Sequence, residues 1–193
     1  MNKFLWIGLG FLFIAAGLFS YYWQYQNPYK DIGALYKEEV IVVPEEIEEK
    51  DYQLKITKIG IEAPVVMDVD GNDKDVYLLA LQNGVAHLKN SALPGKEGNT
   101  FIFGHSSYYF YDPGLYKNVF ARLSDVEIDD EIEILSNKNT YKYKVFEKKS
   151  VNPDQIEVAN KLIEGKKETL TLMTCTPTGT AWYRLIVIAE RVE

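Results

Sequence analysis

The sequence predicts a mainly β domain, folded either as a closed barrel or as a sandwich. After residue 51, short segments of alternating apolar and polar residues recur between turn-forming residues, and helical stretches are few. The chain also has 14 Tyr, 9 Phe and 3 Trp, which is enough aromatic mass for a β-rich core. Its 193 residues, 47% of them hydrophobic, indicate one folded domain rather than two.

Charge and cysteine content exclude several classes of protein. The net charge of −7 argues against a nucleic-acid binder, which normally presents a basic face to phosphates. The one cysteine, Cys175, excludes an intramolecular disulfide and a zinc site built on several thiolates. The hydrophobic content is too low for a polytopic membrane protein and too high for a disordered chain.

Residues 1–23 are expected to form an N-terminal transmembrane anchor. The stretch 4–23 is apolar and uncharged, and a helix of that length spans about 30 Å, the thickness of the hydrocarbon core of a bilayer. Residues 21–23 close it with aromatic rings typical of a membrane interface. A cleaved signal peptide is the alternative, because residues 15–17 are small. We favour an uncleaved anchor because the apolar run continues beyond them.

Two regions follow the anchor. Residues 24–50 are polar and end in an acidic cluster, so they are expected to form an extracytoplasmic linker. Residues 51–193 are expected to form the folded domain, with a short helix at 75–81 capped by Asn72 or Asp73. Alternating apolar residues predict strands at 52–59, 63–66, 100–103, 131–135, 140–146, 168–174 and 183–192, with a hairpin turn at 136–139.

Cys175 is a candidate nucleophile at the end of the strand predicted at 168–174. A free cysteine is often a small buried hydrophobe, and that alternative stays open. However, polar residues flank Cys175, and an unpaired thiol outside the cytoplasm is liable to oxidation. Both observations make a reactive thiol a candidate beside the structural alternative.

His105 is the candidate partner of this thiol. It follows Gly104 at the end of the strand predicted at 100–103, where a loop begins. A cysteine nucleophile needs a group that favours thiolate and later protonates a leaving amine, and an imidazole does both. His87, the other histidine in the chain, is the rival candidate.

Arg184 comes nine residues after Cys175, at the start of the last predicted strand. If these two strands pair as neighbours, the arginine and the cysteine approach the same end of the sheet. A guanidinium stays protonated and offers several donors, so it could stabilise an oxyanion or hold substrate carbonyls. The alternative is an exposed arginine that pairs with a surface carboxylate.

The chain resembles the sortases, membrane-anchored cysteine transpeptidases of bacterial cell surfaces, over residues 54–192. The similar segments are 54–65, 83–87 and 93–99 leading to Gly104-His105, then the Thr-Leu-x-Thr-Cys signature at 171–175, and Arg184 downstream. They occur in the order that the family has, behind an apolar N-terminal segment. The resemblance implies a closed sortase-type β-barrel of about eight strands with short helices, with 51–193 as the catalytic domain.

The resemblance also implies roles for individual residues. Cys175 would be the nucleophile, His105 the general acid and base, and Arg184 the stabiliser of the oxyanion or substrate. Substrate contacts are expected from Thr174 and from Tyr108 and Tyr109, although these tyrosines could instead pack their loop on the barrel. No metal site and no cofactor are expected, and a calcium requirement is left open.

The implied reaction is cleavage of a Leu-Pro-x-Thr-Gly-like sorting signal between Thr and Gly. The acyl group would pass through a thioacyl enzyme to an amine of cell wall or pilin. We expect a single-pass membrane protein with its N-terminus inside and its catalytic domain outside. The lack of an apolar segment after residue 192 favours class D or E over the pilus-building class C. An exported cysteine hydrolase and an inactive peptide-binding module are the alternatives.

Overall fold

The computed structural model of the protein describes residues 18–19, 52–107, 114–157, 159 and 163–192. The expected anchor at 1–23 and linker at 24–50 lie almost wholly outside these residues. In the part of the chain that is described, no helix is long and apolar enough to cross a membrane. The anchor and the region boundaries therefore stay predictions.

The described residues form eight strands that close into one barrel. Of the two predicted folds, the closed barrel is therefore confirmed and the sandwich is not. The order around the barrel is β1-β2-β3-β4-β7-β8-β6-β5. The helix α1 (Lys74–Asn83) connects β2 to β3. The strands are β1 (Tyr52–Ile56), β2 (Ile61–Val69), β3 (Val85–Leu88), β4 (Gly98–Phe103), β5 (Glu131–Leu135), β6 (Thr140–Val151), β7 (Glu168–Thr176) and β8 (Tyr183–Arg191).

Side chains on β4 and β7 alternate between two buried clusters. Ile102 and Leu172 belong to a cluster with members from strands all round the barrel, which fills its interior. Phe103 and Met173 belong to a second cluster that includes Tyr77 of α1, so it lies on the outer face beneath this helix. Both strands are therefore buried on both faces over most of their length.

The helix begins where its capping residue predicts. Asp73 accepts hydrogen bonds from the backbone N–H groups of Asp75 at 3.1 Å and Val76 at 3.2 Å. These bonds satisfy amides that have no partner inside the helix. Of the two expected caps, the structure therefore selects Asp73 over Asn72.

Several strand boundaries differ from the sequence prediction. β1 ends at Ile56 instead of continuing to Ile59, because a 3-10 turn follows and ends at Gly60 with a φ of +69°. β6 continues to Val151, five residues beyond the predicted end at 146. A register shift after Val145 interrupts its alternation, so the pattern hides the second half of the strand. Four-residue β3 is buried throughout and carries no alternation to detect.

Candidate active site

Strands β7 and β8 place Cys175 directly opposite Arg184. The two strands are antiparallel, and these residues are partners in the register, followed by Thr176 opposite Tyr183. Side chains of directly opposed residues project from the same face, with Cβ atoms about 5 Å apart. The expectation that the two strands are neighbours and bring these residues to one end of the sheet is confirmed.

The side chain of Arg184 is buried, with only 1% of its surface exposed. The alternative of an exposed surface arginine is therefore wrong. Its Nη1 donates hydrogen bonds to the carbonyl oxygens of Ala181 at 3.0 Å and Tyr183 at 3.3 Å. These bonds tie the guanidinium to the loop between β7 and β8, so the cationic group is fixed in direction beside Cys175.

His105 comes level with Cys175 on the other side of β7. Strand β4 runs parallel to β7 with Phe103 paired to Met173, and His105 and Cys175 each lie two residues further. The backbone stays beside β7 beyond the strand end, because the Gly104 N–H donates to the Met173 carbonyl oxygen at 3.1 Å. Residues two apart on a strand share a face. Cys175 therefore lies on the outer face with Met173, and the backbone of His105 lies beside it just beyond the end of β4.

The three candidates thus form a row across β4, β7 and β8, with Cys175 between His105 and Arg184. Neighbouring strands lie about 4.8 Å apart, so the backbones that carry the outer two residues are about 10 Å apart. Long side chains on both sides can reach a carbonyl group held over the central thiol. This arrangement can support nucleophilic attack, proton transfer and stabilisation of a developing negative charge.

Two contacts hold the backbone of His105. The Phe120 N–H donates to the His105 carbonyl oxygen at 2.9 Å. A Cβ atom on Gly104 would lie 2.8 Å from the Phe120 ring, so only glycine permits this approach. Sequence analysis missed Phe120 as a site component. The Gly-His dipeptide was visible, but the partner of that glycine is sixteen positions away.

Thr174 contributes a positioning contact. Its side chain is buried, and its hydroxyl donates to the Gly104 carbonyl oxygen at 2.7 Å. It precedes Cys175 in a strand, so its side chain lies on the opposite face from the thiol. The structure therefore connects Thr174 to the backbone that carries His105. The other expected substrate contacts, Tyr108 and Tyr109, lie outside the described residues.

Burial lowers the pKa of the His105 imidazole from 6.5 to about 4. The physical cause is desolvation, which disfavours the charged ring. The resting imidazole is therefore neutral at physiological pH. It can accept a proton, and once protonated it is a strong acid towards a leaving amine.

His87 has a different environment from His105. Its register partner Ile102 packs inside the barrel, so His87 lies on the face opposite to Cys175. Its Nδ1 accepts from the Asp68 N–H at 3.4 Å, and its Nε2 lies 3.1 Å from the Ala92 carbonyl oxygen and 2.8 Å from the Ser91 hydroxyl. Both ring nitrogens thus have internal partners. Burial also lowers the pKa of His87, and this geometry favours a structural role.

The described residues contain no group of three or more His, Cys, Asp or Glu side chains that could hold a metal ion. Cys175 is half-buried at the end of β7.

Fold and site together define a β-barrel protein with a cysteine, histidine and arginine at one rim. A family model described as the sortase domain matches residues 54–192. The chain belongs to the sortase family. Sortase D of Bacillus subtilis (strain 168) is 30% identical over 142 residues, which cover 72% of this chain and 62% of that protein. The match thus spans less than two thirds of this curated relative.

Solved sortase structures have the same fold. A lid mutant of sortase A from Corynebacterium diphtheriae superimposes with a TM-score of 0.59 at 30% identity, covering 78% of this chain and 74% of that one. A sortase D5 transpeptidase from Clostridium perfringens gives a TM-score of 0.57 at 25% identity, covering 75% and 79%. These similarities confirm the family that the sequence motifs indicated and leave the subclass open.

Proposed function

We propose that this protein is an active sortase, a cysteine transpeptidase in which Cys175, His105 and Arg184 carry the reaction. The supporting observation is the row of these three residues at one end of the neighbouring strands β4, β7 and β8, with Cys175 opposite Arg184 and His105 just beyond β4. Membership of the sortase family and the transpeptidase name of the Clostridium relative point to the same chemistry.

In the first half-reaction, the Cys175 thiolate attacks the carbonyl carbon of the scissile peptide bond. The fixed guanidinium of Arg184 stabilises the oxyanion or holds the neighbouring substrate carbonyl. The C–N bond breaks as protonated His105 gives its proton to the departing amine. The product of this step is a thioacyl enzyme and a released C-terminal fragment.

In the second half-reaction, a new amine attacks the thioester carbonyl. The C–S bond breaks, a new amide bond forms, and His105 takes the proton from the attacking nitrogen. The thiolate of Cys175 is regenerated. We propose that the donor is a surface protein with a Leu-Pro-x-Thr-Gly-like signal cleaved between Thr and Gly, and that the acceptor amine belongs to cell wall or pilin.

The remaining parts of the proposal concern location and substrate contacts. An anchor at residues 1–23 would keep the catalytic domain outside the membrane, where surface proteins and amine acceptors meet. Tyr108 and Tyr109 would supply apolar wall to the groove beside His105. Thr174 acts through the Gly104 carbonyl, which it holds in place.

An amine-dependent transfer assay tests this function. We expect the full chain to convert a fluorogenic sorting peptide and an added amine into the joined amide, through a covalent adduct on Cys175 visible by intact-protein mass spectrometry. An adduct that only ever yields the free acid would support the cysteine hydrolase instead. Binding of the peptide without any adduct would support the inactive binding module.

Replacing Arg184 with lysine is expected to lower kcat/KM by about tenfold to a hundredfold. The ammonium keeps the positive charge, but it cannot hold two carbonyl oxygens and face the substrate in one fixed plane. Steady-state kinetics on the sorting peptide measures the effect. Arg122→Lys, at an exposed arginine paired with Asp125, is the matched control and should retain activity. Wild-type kinetics in Arg184→Lys would remove the guanidinium from the mechanism.

A further inference from the structure

An apolar stripe lies on the solvent-facing side of α1. Val76 and Leu79 are 45% and 62% exposed, and they are neighbours on the helix surface because they are three residues apart. Leu115 is 88% exposed and adjoins the end of α1, since its N–H donates to the Gln82 carbonyl oxygen at 3.3 Å. These three side chains, here called the α1 stripe, follow about 9 Å of the helix from position 76 to position 82.

The packing of α1 on the barrel does not use this stripe. The helix buries Tyr77, Ala80 and Leu81 on its other side, in the cluster that covers the outer face of the sheet. A single exposed aliphatic side chain is normal on a protein surface, whereas adjoining ones mark a surface that another segment or molecule covers.

The sequence outside the described residues offers an occupant of matching size. Residues 40–43, Val-Ile-Val-Val, are the longest aliphatic run between positions 24 and 51, and glutamates flank them on both sides. All four are β-branched and Pro44 follows, which favours an extended chain. Four extended residues cover about 13 Å, close to the length of the stripe. An uncovered run of this kind pairs readily with other chains, so burial protects it.

The stripe is within reach of this segment. Tyr52 at the start of β1 pairs with Val65 of β2, and Tyr77 of α1 packs in the same cluster as Val69 of β2. One strand spacing and one helix diameter therefore separate Tyr52 from the outer side of α1, or about 15 Å. Val43 precedes Tyr52 by nine residues, which span up to about 30 Å.

We infer that residues 40–43 pack on the α1 stripe and hold the linker against the folded domain. The inference goes beyond the proposed function and does not depend on it. Its consequence is a shorter tether, because residues 24–39 alone would then separate the domain from an anchor at residues 1–23. The docked segment thus sets how far the domain stands from the membrane.

Disulfide trapping on the full chain tests this contact. Cys175 is the one cysteine of the chain, so Cys175→Ala provides a background without thiols. In this background, Ile41→Cys combined with Leu79→Cys should form an intramolecular disulfide on mild oxidation, visible by intact-protein mass spectrometry. We expect it to form about tenfold faster than the disulfide of a control pair, because docking raises the effective concentration of the two thiols.

The control pair is Ile41→Cys with Val192→Cys. Val192 is 51% exposed, and its N–H donates to the Lys142 carbonyl oxygen. The adjacent Tyr141 ring lies 6.5 Å from the Tyr52 ring, so a segment that is merely tethered at Tyr52 meets Val192 readily. Equal rates for the two pairs overturn the inference. A disulfide between two copies overturns it in favour of a second copy, and a disulfide that forms in detergent but not in lipid nanodiscs overturns it in favour of the lipid surface.

Proteolysis provides a second readout without engineered thiols. A glutamate-specific protease cuts after Glu39 and Glu45, on either side of the docked segment. Leu79→Ser should raise the rate of these cuts about tenfold, because it weakens the apolar contact that protects them. Val192→Ser should leave the rate unchanged. If Leu79→Ser is cut no faster than wild type, the segment does not pack on the α1 stripe.

Discussion

Replacing Cys175 with alanine is expected to abolish turnover of the sorting peptide, a loss on the order of 10⁴-fold or more. The thiol is the one group in the row that can form a covalent bond to the acyl carbon, and nothing else at the rim replaces its sulfur. The adduct seen by intact-protein mass spectrometry should disappear together with the activity. Peptide binding should persist, because the substitution removes only the sulfur atom and leaves His105 and Arg184 in place.

Matched variants separate loss of chemistry from loss of fold. Cys175 is half-buried at the end of β7, so removing one sulfur atom should change the midpoint of thermal unfolding little. Thr176→Ala, one position further along the strand, should retain activity. If Cys175→Ala still cleaved the peptide, the nucleophile would have to be another group and the whole mechanism would fail.

The sequence predicted some strand limits and one pairing of site residues, and it left other strand limits open. Alternation gave both limits of β5 and the start of β6, because these strands have one exposed face. The central strands β4 and β7 are buried on both faces, so alternation in their sequences does not separate a buried face from an exposed one. The pairing of Cys175 with Arg184 was predictable because few residues separate two neighbouring strands.

The contacts that support His105 could not be predicted from the chain alone. The Phe120 N–H bonds to His105 from 15 residues away in sequence, and the Thr174 hydroxyl bonds to Gly104 from 70 residues away. Nothing in their local pattern distinguishes them from ordinary core residues. Burial of Arg184 was equally hidden, since an arginine at the start of a strand is usually exposed.

The two histidines should respond in opposite ways to replacement by alanine. His105→Ala is expected to lower kcat/KM by about 10³-fold, because the imidazole is the group of the row that exchanges a proton with the leaving amine. His87→Ala should keep most activity per folded molecule. It should lower the free energy of unfolding by about 1–3 kcal/mol, because Ser91 and the Asp68 amide lose a buried partner. If His87→Ala abolished activity instead, the base would be misassigned.

The pH dependence of kcat/KM provides an independent test of His105. Burial lowers the pKa of its imidazole to about 4, so the resting ring is neutral. Between this pKa and that of the thiol, each fall in pH removes thiolate as fast as it adds imidazolium, so the population of the reactive ion pair stays constant. Activity should therefore stay flat as pH falls from about 7 to about 5.5.

A fall in kcat/KM centred near pH 6.5 would contradict the lowered pKa of His105 in the working enzyme. Native-state stability must be followed over the same range, because a folded pKa below the unfolded value costs stability as pH falls through 6.5. His87 contributes to that loss as well as His105. Circular dichroism of His87→Ala over the same pH range would show how much of the stability loss comes from His87. The kinetics of the folded fraction would then report on His105 alone.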